Sequence, residues 1–146
     1  VRYNKGKASE VYEQNRILQE YSKVPMLIAA NTEAGGDGAC TDGTYVGHEV
    51  KIAATNDSHY AYEMGRIAGV EAAAIGCNWS FAPIVDINRN WRNPIISIRT
   101  FCDDPDQTLE LAVQYMKGIR ESGIAPAASP PASVSCQKRS ITPASS

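Results

Sequence analysis

Three amphipathic stretches alternate with three short apolar runs, and this alternation constrains the fold more than any other feature. Helical spacing predicts a first helix over residues 8–21, with Val11, Ile17, Leu18 and Tyr21 as its apolar members. Residues 24–30 follow as a nearly all-apolar run, the pattern of a parallel strand buried on both faces. A Gly-rich loop covers residues 31–47. A second helix is predicted over residues 58–75, with Tyr60, Met64, Ile67, Ala68 and Ile75 at helical spacing and Gly76 as its stop. Residues 79–83 read as a second buried strand.

The third helix has the clearest start. Asp104 can cap it, Pro105 suits the first turn, and Gln107 stands three residues after the cap. Leu109, Ala112, Val113 and Met116 recur at i, i+3, i+4 and i+7, and Gly123 ends the pattern. Residues 124–128 open another strand. Strands and helices alternating at this length imply an α/β fold of βαβ units with right-handed crossovers. Periodicity alone allows a closed barrel and an open doubly wound sheet equally.

At 146 residues the chain can bury one real core. Its 43% hydrophobic and 21% charged content is ordinary for a globular protein. A net charge of −2 supplies no basic field for nucleic acid. No apolar run approaches the roughly 20 residues of a membrane helix. No charged-then-apolar signal segment opens the chain, so a cytoplasmic location is expected, although Val1 suggests that the native start lies elsewhere. Cys40, Cys77, Cys102 and Cys136 show no Cys-x-x-Cys spacing, and His48 and His59 are the only histidines. Reduced thiols are expected, with no metal site, no cofactor and no disulfide framework. After residue 128 the composition turns abruptly to Ser and Pro without periodicity, so residues 1–128 are expected to form the folded part and 129–146 a disordered tail.

The second strand empties into a long polar loop carrying Asp86, Arg89, Arg92, Asn93 and Arg99. Strands ending in such loops form the active-site rim of α/β barrels. The run Phe81-Ala-Pro-Ile-Val-Asp-Ile, then Arg92-Asn-Pro, then Arg99-Thr-Phe-Cys102 resembles the N-terminal barrel domain of family 3 glycoside hydrolases. Pro25-Met-Leu-Ile-Ala-Ala-Asn31, Glu33-Ala-Gly-Gly36 and Ile75-Gly-Cys-Asn-Trp-Ser-Phe-Ala-Pro83 carry the same likeness in order. The resemblance implies part of an eightfold (β/α) barrel, about three β/α units of it, since a complete barrel takes about 250 residues. It also implies a carbohydrate substrate.

From the resemblance, Arg99 reaches into the sugar pocket, where a guanidinium can grip two hydroxyls with fixed geometry. Its alternative is a loop pair with Asp86 or Asp103. Asn31 stands where many members have an aspartate that accepts from sugar hydroxyls, and it keeps one acceptor without the charge. A loop cap is its alternative. Asp86 either contacts sugar or orients the loop backbone and its arginines. Trp91 either stacks on a sugar ring or anchors the loop. Gly35, Gly36 and Gly38 resemble a phosphate loop only weakly, because the Gly-Lys-Ser/Thr ending is absent. His48 and His59 read as surface or helix-end residues.

A retaining glycosidase needs a nucleophilic carboxylate and an acid/base about 5 Å apart. In the family the strand matching residues 124–128 runs into Lys-His-Phe-Pro-Gly, whose lysine and histidine hold sugar hydroxyls; the acid/base pair follows in a later loop and the aspartate nucleophile on a strand nearer the end of the barrel. Ser129-Pro130-Pro131 stands in place of Lys-His-Phe-Pro, as out-of-frame coding would give. The expectation is therefore a truncated, inactive glycosidase without catalytic residues of its own. N-acetyl-β-glucosaminide is the preferred substrate of the parent activity and β-glucoside the next. A non-catalytic carbohydrate-binding remnant is the alternative. A barrel aldolase would want a Schiff-base lysine inside a strand, and none is present.

Overall fold

A computed structural model describes residues 6–90 and 92–128. Three long helices, α1 (Ala8–Tyr21), α3 (His59–Ala74) and α4 (Pro105–Arg120), alternate with three strands, β1 (Ala29–Ala30), β2 (Trp79–Ser80) and β3 (Ala125–Pro126). A 3-10 turn (Gly36–Gly38) and a short helix, α2 (Glu49–Ala53), lie between β1 and α3. The strands pair in parallel in the order β1-β2-β3, with Ala29 opposite Trp79 and Trp79 opposite Ala125. The fold is α/β, as the alternation predicts. The expectations for the tail and for Trp91 lie outside the described residues.

Local chemistry sets the helix ends. The Asp104 carboxylate accepts from the Gln107 N–H at 2.8 Å, and Pro105 occupies the first turn of α4. Gly76 and Gly123, at φ +80° and +77°, provide the left-handed residue that stops α3 and α4. The start of α1 is closed from a distance, because Asp42 in the Gly-rich loop accepts from the Ala8 N–H at 2.7 Å.

The strands are shorter than the apolar runs suggest. Before β1 the backbone pairs with a side chain: Asn78 accepts from the Ile28 N–H at 2.8 Å and donates to the Met26 carbonyl at 2.9 Å. Nor is the run 24–30 buried on both faces. Ile28 and Ala30 are buried, whereas Val24 and Leu27 are mostly exposed. The same alternation holds in and beyond β2, where Ser80 and Ala82 are buried and Phe81 is exposed. One face of the sheet packs on helices; the other is open among the described residues.

The helix faces also differ from the apolar count. On α4 the buried set is Thr108, Leu111, Ala112, Tyr115, Gly118 and Ile119, and Leu109 is 63% exposed. On α3 it is Ala61, Met64, Gly65, Ala68, Gly69 and Ala72, while Tyr60 is half-exposed. On α1 only Val11 and Asn15 are buried, and Ile17 and Tyr21 face out. Close approach decides this. A Cβ added at Gly65 would lie 2.1 Å from the Tyr115 carbonyl oxygen, and one at Gly118 would lie 2.1 Å from that of Tyr62. α3 and α4 meet backbone to backbone, so the small residues take the interface and the large ones border it.

Candidate functional site

Residues 31–53 leave the C-terminal end of β1, and residues 81–104 leave that of β2. The ends of parallel strands are where α/β folds set their binding residues. The first loop is built on backbone contact. A Cβ at Gly38 would sit 1.8 Å from the Asn31 carbonyl oxygen, and one at Gly36 would strike the Glu71 carboxylate. Glu71 in turn accepts from the Thr44 N–H at 2.8 Å. The glycines allow this tight fold of the loop upon itself and over α3, which accounts for their spacing without phosphate.

Arg99 joins the two loops. Its Nε and a terminal nitrogen donate to the two carboxylate oxygens of Glu33, each at 2.7 Å. The pair is bidentate and only partly exposed, with side-chain exposures of 33% for Arg99 and 15% for Glu33. That geometry fixes the guanidinium plane. Neither Asp86 nor Asp103, the partners weighed from sequence, holds it. Glu33 stands in a recognisable motif, but its partner is 66 residues away and no local signal could reveal the pairing.

Asn31 lies just past β1, with its Oδ1 buried and without a partner. Asp86 is half-buried on the second loop, after the cis Ala82–Pro83 bond. Arg99 and Glu33 are thus brought together, while Asn31 and Asp86 sit on the same two loops outside that pair. Among the described residues, Asn15, Asn31, Glu49, Asn88 and Thr100 carry buried side-chain oxygens without a partner. All but Asn15 belong to the two loops.

Glu49, the first residue of α2, is the residue that the sequence reading missed. Its carboxyl is fully buried, and Oε1 accepts from the Ile84 N–H at 2.9 Å. Burial pushes its pKa well above the usual carboxylate range; the Ile84 N–H opposes this and the Glu33 charge adds to it. A charged residue at a helix start usually faces water, so its burial was not legible. Beneath the loops, the hydroxyls of Thr32, Ser80 and Tyr115 join strands to helix. Thr32 Oγ1 lies 2.7 Å from Ser80 Oγ and 2.9 Å from the Tyr115 hydroxyl. Tyr115 also lies 2.9 Å from the Thr32 carbonyl oxygen, to which it can donate.

His48 caps the start of α2 with its ring against Tyr45, and His59 opens α3 stacked on Tyr62. Both are helix-end residues. Cys102 is not in the left-handed region, and its thiol lies 3.3 Å from the Thr108 hydroxyl. Among the described residues, no cluster of three or more His, Cys, Asp or Glu side chains could hold a metal ion, and no helix is long and apolar enough to cross a membrane.

The model of the glycosyl hydrolase family 3 N-terminal domain matches residues 3–129. A β-N-acetylglucosaminidase/β-glucosidase of Cellulomonas fimi is 38% identical over 111 residues, which cover 76% of this chain and 20% of that protein. β-Hexosaminidase A of Pseudoalteromonas piscicida is 29% identical over 116 residues, 76% of this chain and 19% of its own. Among solved structures, the β-glucoside phosphorylase BglX superposes with a TM-score of 0.82 at 39% identity, over 84% of this chain and 23% of that one. A family 3 β-N-acetylglucosaminidase from Paenibacillus sp. str. FPU-7 superposes with a TM-score of 0.79 at 29% identity, over 85% and 24%. The chain thus spans about a fifth of the length of these curated relatives. On the family match and on the loops that end its parallel strands, the chain belongs to glycosyl hydrolase family 3, through the N-terminal domain of that family.

Proposed function

We propose that this chain forms part of the sugar-recognition rim of a retaining enzyme that cleaves terminal β-linked sugars, N-acetyl-β-glucosaminide before β-glucoside. In this reading its three parallel strands are an arc of a (β/α)8 barrel. The single observation that carries the proposal is the bidentate Arg99–Glu33 pair, which spans the loops after β1 and β2. Such a pair holds the guanidinium plane still. The N–H groups of Arg99 that Glu33 does not use are then free to donate to sugar hydroxyls in a fixed direction. Asn31 and Asp86 would add acceptors on either side. The activities for which the relatives are named support the sugar class.

The chain by itself is proposed to bind without cleaving. Retention takes a nucleophilic carboxylate and a proton donor about 5 Å apart. Glu33 is committed to Arg99, and Glu49 is sealed from solvent. The test is incubation of the purified chain with aryl N-acetyl-β-glucosaminide and aryl β-glucoside. No release of nitrophenol above buffer is expected, and sustained turnover on either would overturn the non-catalytic reading.

The likeness to the β-glucoside phosphorylase favours a second reading, in which phosphate rather than water accepts the sugar. Repeating the assay with inorganic phosphate tests it. Nitrophenol release that depends on phosphate and yields a sugar 1-phosphate would establish this second reading; no phosphate-dependent release is expected from the chain alone.

A further inference from the structure

Two side-chain ties cross the seam between the rim loops. One is the Arg99–Glu33 pair. The other is Glu49, which comes from the first loop and accepts from the Ile84 N–H of the second at 2.9 Å. Ile84 directly follows the cis Ala82–Pro83 bond and leads into the segment that carries Asp86 and then Arg99. The two ties differ in kind. The first is ionic and partly exposed; the second uses one oxygen of a carboxyl with no exposure.

The other oxygen of Glu49, Oε2, is buried and meets no donor. An ionised carboxylate left so would be costly. Among the described residues, the charged and titratable groups acting on Glu49 are few. From the first loop comes Glu33 and from the second Arg99; from α4, Tyr115 is close enough to feel the Glu49 charge. Arg99 is the only cation among them, and both its donating nitrogens at this seam are engaged by Glu33.

We propose that Glu49 is a positioning residue for the rim: its buried carboxyl pins the Ile84 end of the second loop, and its one proton keeps Arg99 with Glu33. While Glu49 is neutral, Arg99 serves a single carboxylate and the ionic tie stays bidentate. Once Glu49 ionises, a second anion stands beside Glu33. It repels Glu33, competes for the guanidinium and turns Arg99 from its fixed plane. The function of this device rests on the sugar-recognition reading; the device itself does not.

The direction with pH follows. A carboxyl whose folded pKa is raised contributes its full stability below the ordinary carboxylate range, and that contribution is lost as pH rises through the folded value. The rim should therefore loosen as pH rises above the ordinary carboxylate range.

An NMR pH titration of the chain without sugar tests this, following the Ile84 backbone N–H and the Arg99 Nε–H. In the wild type both signals should move with one shared midpoint above the ordinary carboxylate range. In Glu49→Gln, a neutral isostere that still offers an acceptor to Ile84, both should stay at the low-pH wild-type positions across the range. In Glu49→Ala the Ile84 signal should be displaced at every pH. Wild-type signals that do not move, separate midpoints, or an unchanged titration in Glu49→Gln would each overturn the proposal. If Glu49→Ala does not fold, the Gln comparison decides alone. A chain that passes this titration yet binds no sugar fails only the sugar reading.

Discussion

The back of the molecule and its rim are held by different means. Behind the sheet, α3 and α4 touch backbone to backbone through Gly65, Gly69 and Gly118. The hydroxyls of Thr32, Ser80 and Tyr115 satisfy one another there. In front, the two loops are bridged by side chains, Arg99 to Glu33 and Glu49 to Ile84, and buried oxygens on Asn31, Glu49, Asn88 and Thr100 are left without partners. The first layer is held by close backbone contact and carries the fold. The second is held by side-chain ties between loops. Changes at the back should therefore cost stability, and changes at the rim should cost recognition.

The largest expected effect is at the back. Gly65→Val puts a Cβ into the Tyr115 carbonyl, so α3 and α4 must separate. We expect a loss of about 3 kcal/mol or more, at the upper end of overpacking, read as a lower urea midpoint. An unchanged midpoint would mean that the two helices are not in backbone contact. Tyr115→Phe comes next. It keeps the ring and takes the Tyr115 hydroxyl from the Thr32 carbonyl and side chain, while the Thr32–Ser80 bond stays, for a loss of about 1–3 kcal/mol; a gain in stability would contradict the hydroxyl network. Asp104→Ala removes the cap of α4 and should cost about 1 kcal/mol, with amide exchange speeding up first at Gln107.

The legibility of the chain divides along the same line. The start of α4 and the glycine stops of α3 and α4 were readable because each depends on residues within one turn. The alternation of helix and strand was readable because periodicity records burial. The helix faces were not. Counting large apolar residues favoured Leu109 and Tyr60, whereas close approach selected Gly118 and Gly65, and nothing local announces a neighbour's backbone. The apolar run 24–30 is longer than β1 because Asn78, about 50 residues away, supplies the hydrogen bonds that a strand would. At the rim, Arg99 was legible through its motif, but its partner Glu33 and the buried Glu49 emerge only when the two loops are brought together.

Arg99→Ala should disturb the fold least and the rim most. The pair is partly exposed, so its contribution to stability should be below about 1 kcal/mol. Its contribution to sugar recognition should be about 1.5–3 kcal/mol, the scale of a charged hydrogen bond. The decisive measurement is a calorimetric titration of the wild type and Arg99→Ala with methyl N-acetyl-β-glucosaminide, with urea unfolding of both run alongside. The account predicts binding by the wild type, affinity about 10- to 150-fold weaker in the variant, and nearly equal urea midpoints. No binding by the wild type, or equal affinity in both chains, would contradict it.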